Sequence, residues 1–145
     1  MFKNIVIPID LTDKQSIKAM IPVAVNFIQS FDAIINFIHI IPDFGMKIIE
    51  DYLPKNWSKD QKRKYEEQIQ SLIEEYIPYD MKSKVNLYVN RGAVYDEVIQ
   101  YANEIRADLI IVSAVRPQLR DYMLGSNASK IVRHAAISVL VVRED

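Results

Sequence analysis

The chain contains no cysteine. Disulfides, thiolate metal sites and cysteine nucleophiles are therefore excluded, and the composition agrees with an intracellular location. Charge imbalance is also missing: the formal net charge is −1, too small a field to recruit nucleic acid or an anionic membrane. No apolar run approaches the roughly 20 residues of a membrane span. The opening Met1-Phe-Lys-Asn-Ile-Val-Ile-Pro8 has too short an apolar stretch for a secretion signal and leads directly into Asp10. A cytoplasmic protein is expected. The chain has neither G-x-x-x-x-G-K-[ST] nor G-x-G-x-x-G, so it lacks the phosphate-loop and dinucleotide fingerprints, and it has no G-x-S-x-G elbow. Its two histidines show no metal-ligand spacing. Nothing supplies an activated nucleophile, so binding is better supported than turnover. Only three glycines are present, which makes each one informative.

What is present is a regular alternation. At 145 residues the chain fits one domain, residues 1–145, able to bury roughly 70% of its unfolded surface. Continuous apolar runs, the mark of strands covered on both faces, occur at Ile5–Ile9, Ala33–Ile41, Leu109–Val112 and Val139–Val142. Val85-Asn-Leu-Tyr-Val89 alternates strictly and predicts a sheet edge. Helical spacing separates these runs: Ile17, Met20, Ile21, Ala24 and Ile28; then Tyr65, Ile69, Leu72, Ile73 and Tyr76; then Val94, Val98, Ala102 and Ile105. Thr12-x-x-Gln15 and Ser58-x-x-Gln61 match capping boxes and mark two helix starts, while Pro22 interrupts the first helix. Alternating strands and helices imply a five-stranded parallel doubly wound α/β sheet with helices on both faces. The irregular stretch from Pro42 to Lys55 reads as a surface connection, with a lid over a ligand as the alternative.

In such sheets ligands bind beyond the carboxyl ends of the strands, where the winding reverses. Strand one delivers Asp10 and Thr12 there, strand two His39 and Ile40, and strand four Ser113 to Arg116; Gly125-Ser126-Asn127 then opens the last helix. A helix start presents unpaired amides and the positive end of a dipole, which suits an anion. Asp10 can accept from a base amine or ribose hydroxyl or face a metal, Ile40 can wall a purine, and Arg116 adds a phosphate-reading cation. Thr12 reads better as a helix cap. His39 reads better as a hydrogen-bonded core residue and His134 as a cation at a helix end. Gly92 reads as a turn residue.

These pieces resemble the universal stress proteins along the whole chain: Ile-Val-Ile-Pro-Ile-Asp10, Phe-Ile-His39-Ile-Ile, Arg91-Gly92-Ala93, Ala107-Asp108-Leu-Ile-Ile-Val and, most specifically, Tyr-Met-Leu-Gly125-Ser-Asn-Ala-Ser-Lys-Ile-Val-Arg-His-Ala. The closing block is most similar to the small bacterial F/G-type branch. The resemblance implies strand order 3-2-1-4-5 and a stress-response regulator that binds ATP or AMP, with Mg²⁺ an open accompaniment. It is not a dedicated enzyme by this reading; at most it would be a slow ATPase or self-phosphorylating protein. Nucleotide-binding members carry G-x-x-G-x9-G-[ST]; here, allowing one deletion, Ser113 and Arg116 stand at the first two glycine positions and only Gly125-Ser126 is kept. By the family's pattern Pro8, Asp10 and Ile40 would line the adenosine pocket, Val112 and Ser113 would flank the base or ribose, and Arg116, Gly125, Ser126 and Asn127 would meet the phosphates. The resemblance also implies a homodimer through the last strand, Val139 to Arg143, whose free apolar edge needs covering. The competing reading is a ligand-free dimeric interaction module of the same fold with a blocked pocket.

Overall fold

The computed structural model describes residues 1–43, 52–114 and 125–143. Five parallel strands, β1 (Asn4–Pro8), β2 (Ile34–Pro42), β3 (Val85–Gly92), β4 (Leu109–Ser113) and β5 (Ser138–Val142), lie in the order β3-β2-β1-β4-β5. Helices α1 (Lys14–Phe31), α2 (Trp57–Tyr76), α3 (Val94–Glu104) and α4 (Ser126–His134) alternate with them, and a short 3₁₀ helix, Tyr79–Lys84, precedes β3.

Strand alternation divides the core in two. Ile5, Ile7, Phe37 and Ile111 pack with Ile17, Met20, Ile69 and Ile73 of α1 and α2 on one face. Val6, Ile38, Ile110 and Val112 meet Val98, Ala102 and Ile131 of α3 and α4 on the other. Burial on both faces is why these strands read as unbroken apolar runs. The alternating segment does form an edge strand, β3, but the apolar run Val139–Val142 is not an inner strand: it forms β5 at the other edge, where no residue is fully buried because no further strand lies beside it.

Neither predicted capping box forms. Asp13, one residue after Thr12, caps α1 by accepting from the Ser16 amide at 3.1 Å. The Thr12 hydroxyl instead donates to Asp10 Oδ1 at 2.6 Å, since the preceding strand has already turned the chain there. At α2 the helix starts one residue earlier than Ser58, with Asn56 flanking it and no side-chain cap. Gln61 Oε1 accepts from Arg91 Nη2 instead, and the Arg91 guanidinium lies 4.9 Å from the Trp57 ring centre, bolting α2 to the end of β3. Pro22 does not end α1, which runs continuously through it. Pro22 is exposed, so the carbonyl it leaves without a donor is on the solvent side.

Gly92 ends β3 with φ at +152°, and a Cβ there would stand 2.8 Å from Glu97 Cγ. Glu97 is held in place by accepting from Asn90 Nδ2 at 2.9 Å. Gly92 is thus required by backbone angle and by crowding. Gly92→Ala is expected to cost about 1–3 kcal/mol in chemical denaturation; an unchanged midpoint contradicts this account.

Tyr88 of β3 and Tyr101 of α3 stack with centroids 4.1 Å apart and planes 7° from parallel. Burial, then the negative charge of Glu104 and Glu97, raises Tyr88; burial, then Tyr88 itself, raises Tyr101. In the unfolded chain both ionise near pH 10, where the folded state still holds their protons. Their stabilisation is therefore whole below about pH 10 and is lost as pH rises through the raised folded values. Two of the eight tyrosines should give a late phase in a tyrosinate absorbance titration, absent from the Tyr88→Phe/Tyr101→Phe variant. A single shared transition for all tyrosines would refute it.

Candidate functional site

At the carboxyl ends of the strands, where the winding reverses between β1 and β4, lies a crevice of about 360 Å³. This lies within the range of small-molecule sites, roughly 300–1,000 Å³. Pro8 and Asp10 enter it from the end of β1, Ile40 from β2, Val112 and Ser113 from β4, and Gly125 and Asn127 from the start of α4. These residues span most of the sequence, and only the parallel crossovers bring them together. Two candidates stand apart. Ser126 is exposed and is not part of the lining, because the first helical residue turns outward while its neighbours face in. Arg116 lies outside the described residues, as do Phe44, Gly45 and Met46 of the suggested lid.

The local chemistry is polar at the rim and apolar at the base. Asp10 Oδ1 accepts from both the amide and the hydroxyl of Thr12, at 2.9 and 2.6 Å, so the loop after β1 is closed by its own side chains. The carboxylate lines the crevice, where its second oxygen is a further acceptor. Buried Ile38 and Ile40, with Val112 and Ile131, form an apolar wall. Gly125 precedes α4 in an ordinary extended conformation, φ −54° and ψ 155°, and no side chain caps the helix. The first-turn amides of α4 thus face the crevice beside Asn127 and Ala128 with the positive end of the helix dipole.

Sequence reasoning underweighted several lining residues. Thr12, read as a helix cap, lines the crevice, with Asp13 and Ser16 beside it. His39 is a buried core histidine as expected: its Nδ1 donates to the Ile9 carbonyl at 3.1 Å and its ring lies 4.6 Å from that of Tyr65. Yet both rings also line the crevice. Tyr65 was legible only as part of a helix face; the 26-residue separation from His39 hides their meeting. His134 ends α4 and packs against Tyr95 rather than the crevice. Among the described residues no group of histidine, aspartate or glutamate side chains is placed to hold a metal ion, and no helix is long and apolar enough to cross a membrane.

The family model for universal stress proteins matches residues 1–143. The chain belongs to the universal stress protein family. Universal stress protein G of Escherichia coli O157:H7 is 28% identical over 145 residues, covering 99% of this chain and all of that protein. This agrees with the small bacterial branch suggested by the closing block. Among solved structures, universal stress protein UspA from Lactobacillus plantarum aligns with a TM-score of 0.73 at 20% identity over 98% of each chain. A universal stress protein solved in complex with cAMP aligns at 0.61 and 19% identity, over 98% of this chain and 97% of that one. These structural likenesses establish the doubly wound fold.

Proposed function

We propose that the chain binds an adenine nucleotide, ATP or AMP, in the crevice and acts as a homodimeric stress-response regulator. The observation that carries this reading is the convergence of an apolar wall, an acceptor at Asp10 and an uncapped helix start at Gly125 on one small cavity. The wall at Ile40 and Val112 suits a purine face. Asp10 Oδ2 suits a base amine or ribose hydroxyl. The amides from Gly125 to Ala128 suit a phosphate, which the helix dipole also favours. The relative bound to cAMP supports the ligand class. Mg²⁺ would come with the phosphates rather than with a protein cage, which fits the lack of a carboxylate cluster among the described residues. The reading is regulation by binding.

The dimer half of the proposal rests on β5. It is an outer strand of the sheet, and Leu140 at its middle is 38% exposed. Pairing with a second copy across a two-fold axis would cover both the free edge and that side chain.

Mass spectrometry of small molecules released from freshly purified protein, with thermal shifts on added ATP and AMP, tests the binding half. A nucleotide at ~100 times its dissociation constant should add about 2.7 kcal/mol. No released adenine and no shift with either nucleotide would leave the ligand-free interaction module. Analytical ultracentrifugation at micromolar protein tests the dimer, and a monomer would overturn it.

A further inference from the structure

The loop after β1 and the first turns of α1 form a wall shared by two cavities. Asp10, Thr12, Asp13 and Ser16 face the crevice, whereas Leu11, Lys14, Ile17, Lys18 and Ile21 face a second concavity of about 670 Å³ between α1 and α2. Its base is apolar: Ile17 and Ile21 are buried, and Leu11 and Leu72 are half-buried. On its α1 bank Lys14 and Lys18 stand one helical turn apart, both exposed, and neither is bridged to an acidic side chain among the described residues. On the α2 bank are Gln68 and Ser71, with Glu75 one turn beyond Ser71.

We propose that this groove binds a single aliphatic carboxylate, a medium- or long-chain fatty acid, with its chain along Ile17, Ile21 and Leu72 and its head between Lys14 and Lys18. Like charges at i and i+4 repel each other, and an anion held between them reverses that penalty. A carboxylate accepting from two ammonium groups forms charge-assisted bonds, which are the stronger kind. The alkyl chain, over a floor of buried Ile17 and Ile21, covers the partly exposed apolar surface of Leu11, Leu72 and Tyr76 and takes it out of water, which is the main favourable contribution to holding it. Glu75 on the facing bank argues for a singly charged head over a phosphate, since a second negative charge would face an acid that no basic side chain among the described residues bridges. The volume is within the range for small ligands, roughly 300–1,000 Å³.

The test uses sodium decanoate below its micelle concentration, titrated into the full chain, with calorimetry and methyl NMR of Ile17, Ile21 and Leu72 as readouts. Saturable binding of one molecule is expected, weakened about tenfold in Lys14→Gln/Lys18→Gln. Decanol, with the same chain and no charge, should bind about tenfold more weakly than decanoate. Ser71→Trp, a change at an exposed position that places a ring in the groove, should abolish the methyl shifts while circular dichroism stays unchanged. Failure of decanoate to saturate, equal binding of decanol, or binding indifferent to the lysine and Ser71 substitutions would each overturn the proposal. None of these readouts involves nucleotide, so their failure would not touch the reading of the crevice.

Discussion

Asn36→Leu is expected to destabilise the fold by about 3 kcal/mol, lowering the melting temperature by on the order of 10 °C. Asn36 is 4% exposed, in the middle of the apolar run of β2. Its amide donates to Asn4 Oδ1 at 2.8 Å and to the Ile5 carbonyl at 3.0 Å, and its own oxygen accepts from Asn86 at 3.1 Å. Asn4 continues the chain by donating to the Ile105 carbonyl at 2.7 Å, so the network crosses β3, β2 and β1 and reaches the end of α3. No buried side-chain polar atom among the described residues is left without a partner. Leucine at 36 keeps the volume but removes the donor to the half-buried Asn4 oxygen and to the buried Ile5 carbonyl, and an acceptor left without a donor in the interior costs more than a hydrogen bond contributes when made. Asn4→Leu/Asn36→Leu should therefore cost less than the sum of the two single changes, a coupling that a double-mutant cycle in chemical denaturation reads directly. Additive losses, or a single-variant loss below about 1 kcal/mol, would show that water satisfies these groups.

Gly125→Val should weaken nucleotide binding by about 10- to 100-fold, the 1–3 kcal/mol of an overfilled site, while the protein keeps its fold. The two halves of this expectation have separate causes. Gly125 sits at φ −54° and ψ 155°, a backbone conformation open to any L-residue, so the substitution brings no backbone strain. The bond from the Ser129 amide to the Gly125 carbonyl at 2.9 Å needs no side chain. Gly125 nevertheless lines the crevice, and a branched side chain there stands between a ligand and the first-turn amides of α4. Gly92→Ala is the complementary control: it strains the backbone at a site outside the crevice lining and should lower stability without changing ligand affinity. If calorimetry finds ATP affinity unchanged in Gly125→Val, the phosphate is not held at α4.

The two asparagine and glycine cases mark the limits of reading this chain from its residues. Asn36 stands within a run of isoleucine and phenylalanine, and its partners lie 32 and 50 residues away. A buried polar group is satisfied by geometry between strands, which local pattern does not encode. Gly125 is the reverse case: glycine followed by serine and asparagine at the head of an amphipathic helix announces a helix start from local chemistry alone. Thr12 falls between them. Its capping pattern was present, but the turn after β1 moved the cap to Asp13 and gave the Thr12 hydroxyl to Asp10.

Periodicity by itself determined the class of this protein. Double-sided burial makes the inner strands continuously apolar, the thinner cover at an edge lets β3 alternate, and a 3.6-residue stripe marks each helix, so strands and helices were written locally, whereas the edge position of the apolar β5 was not. Tertiary structure alone decided which side chains share a cavity. The inward turn of Thr12, His39 and Tyr65 into the crevice, the outward turn of Ser126, and the groove behind Lys14 and Lys18 each depend on how helices seat on the sheet. That seating is set by the summed packing of two cores, a property of distant residues acting together rather than of any segment.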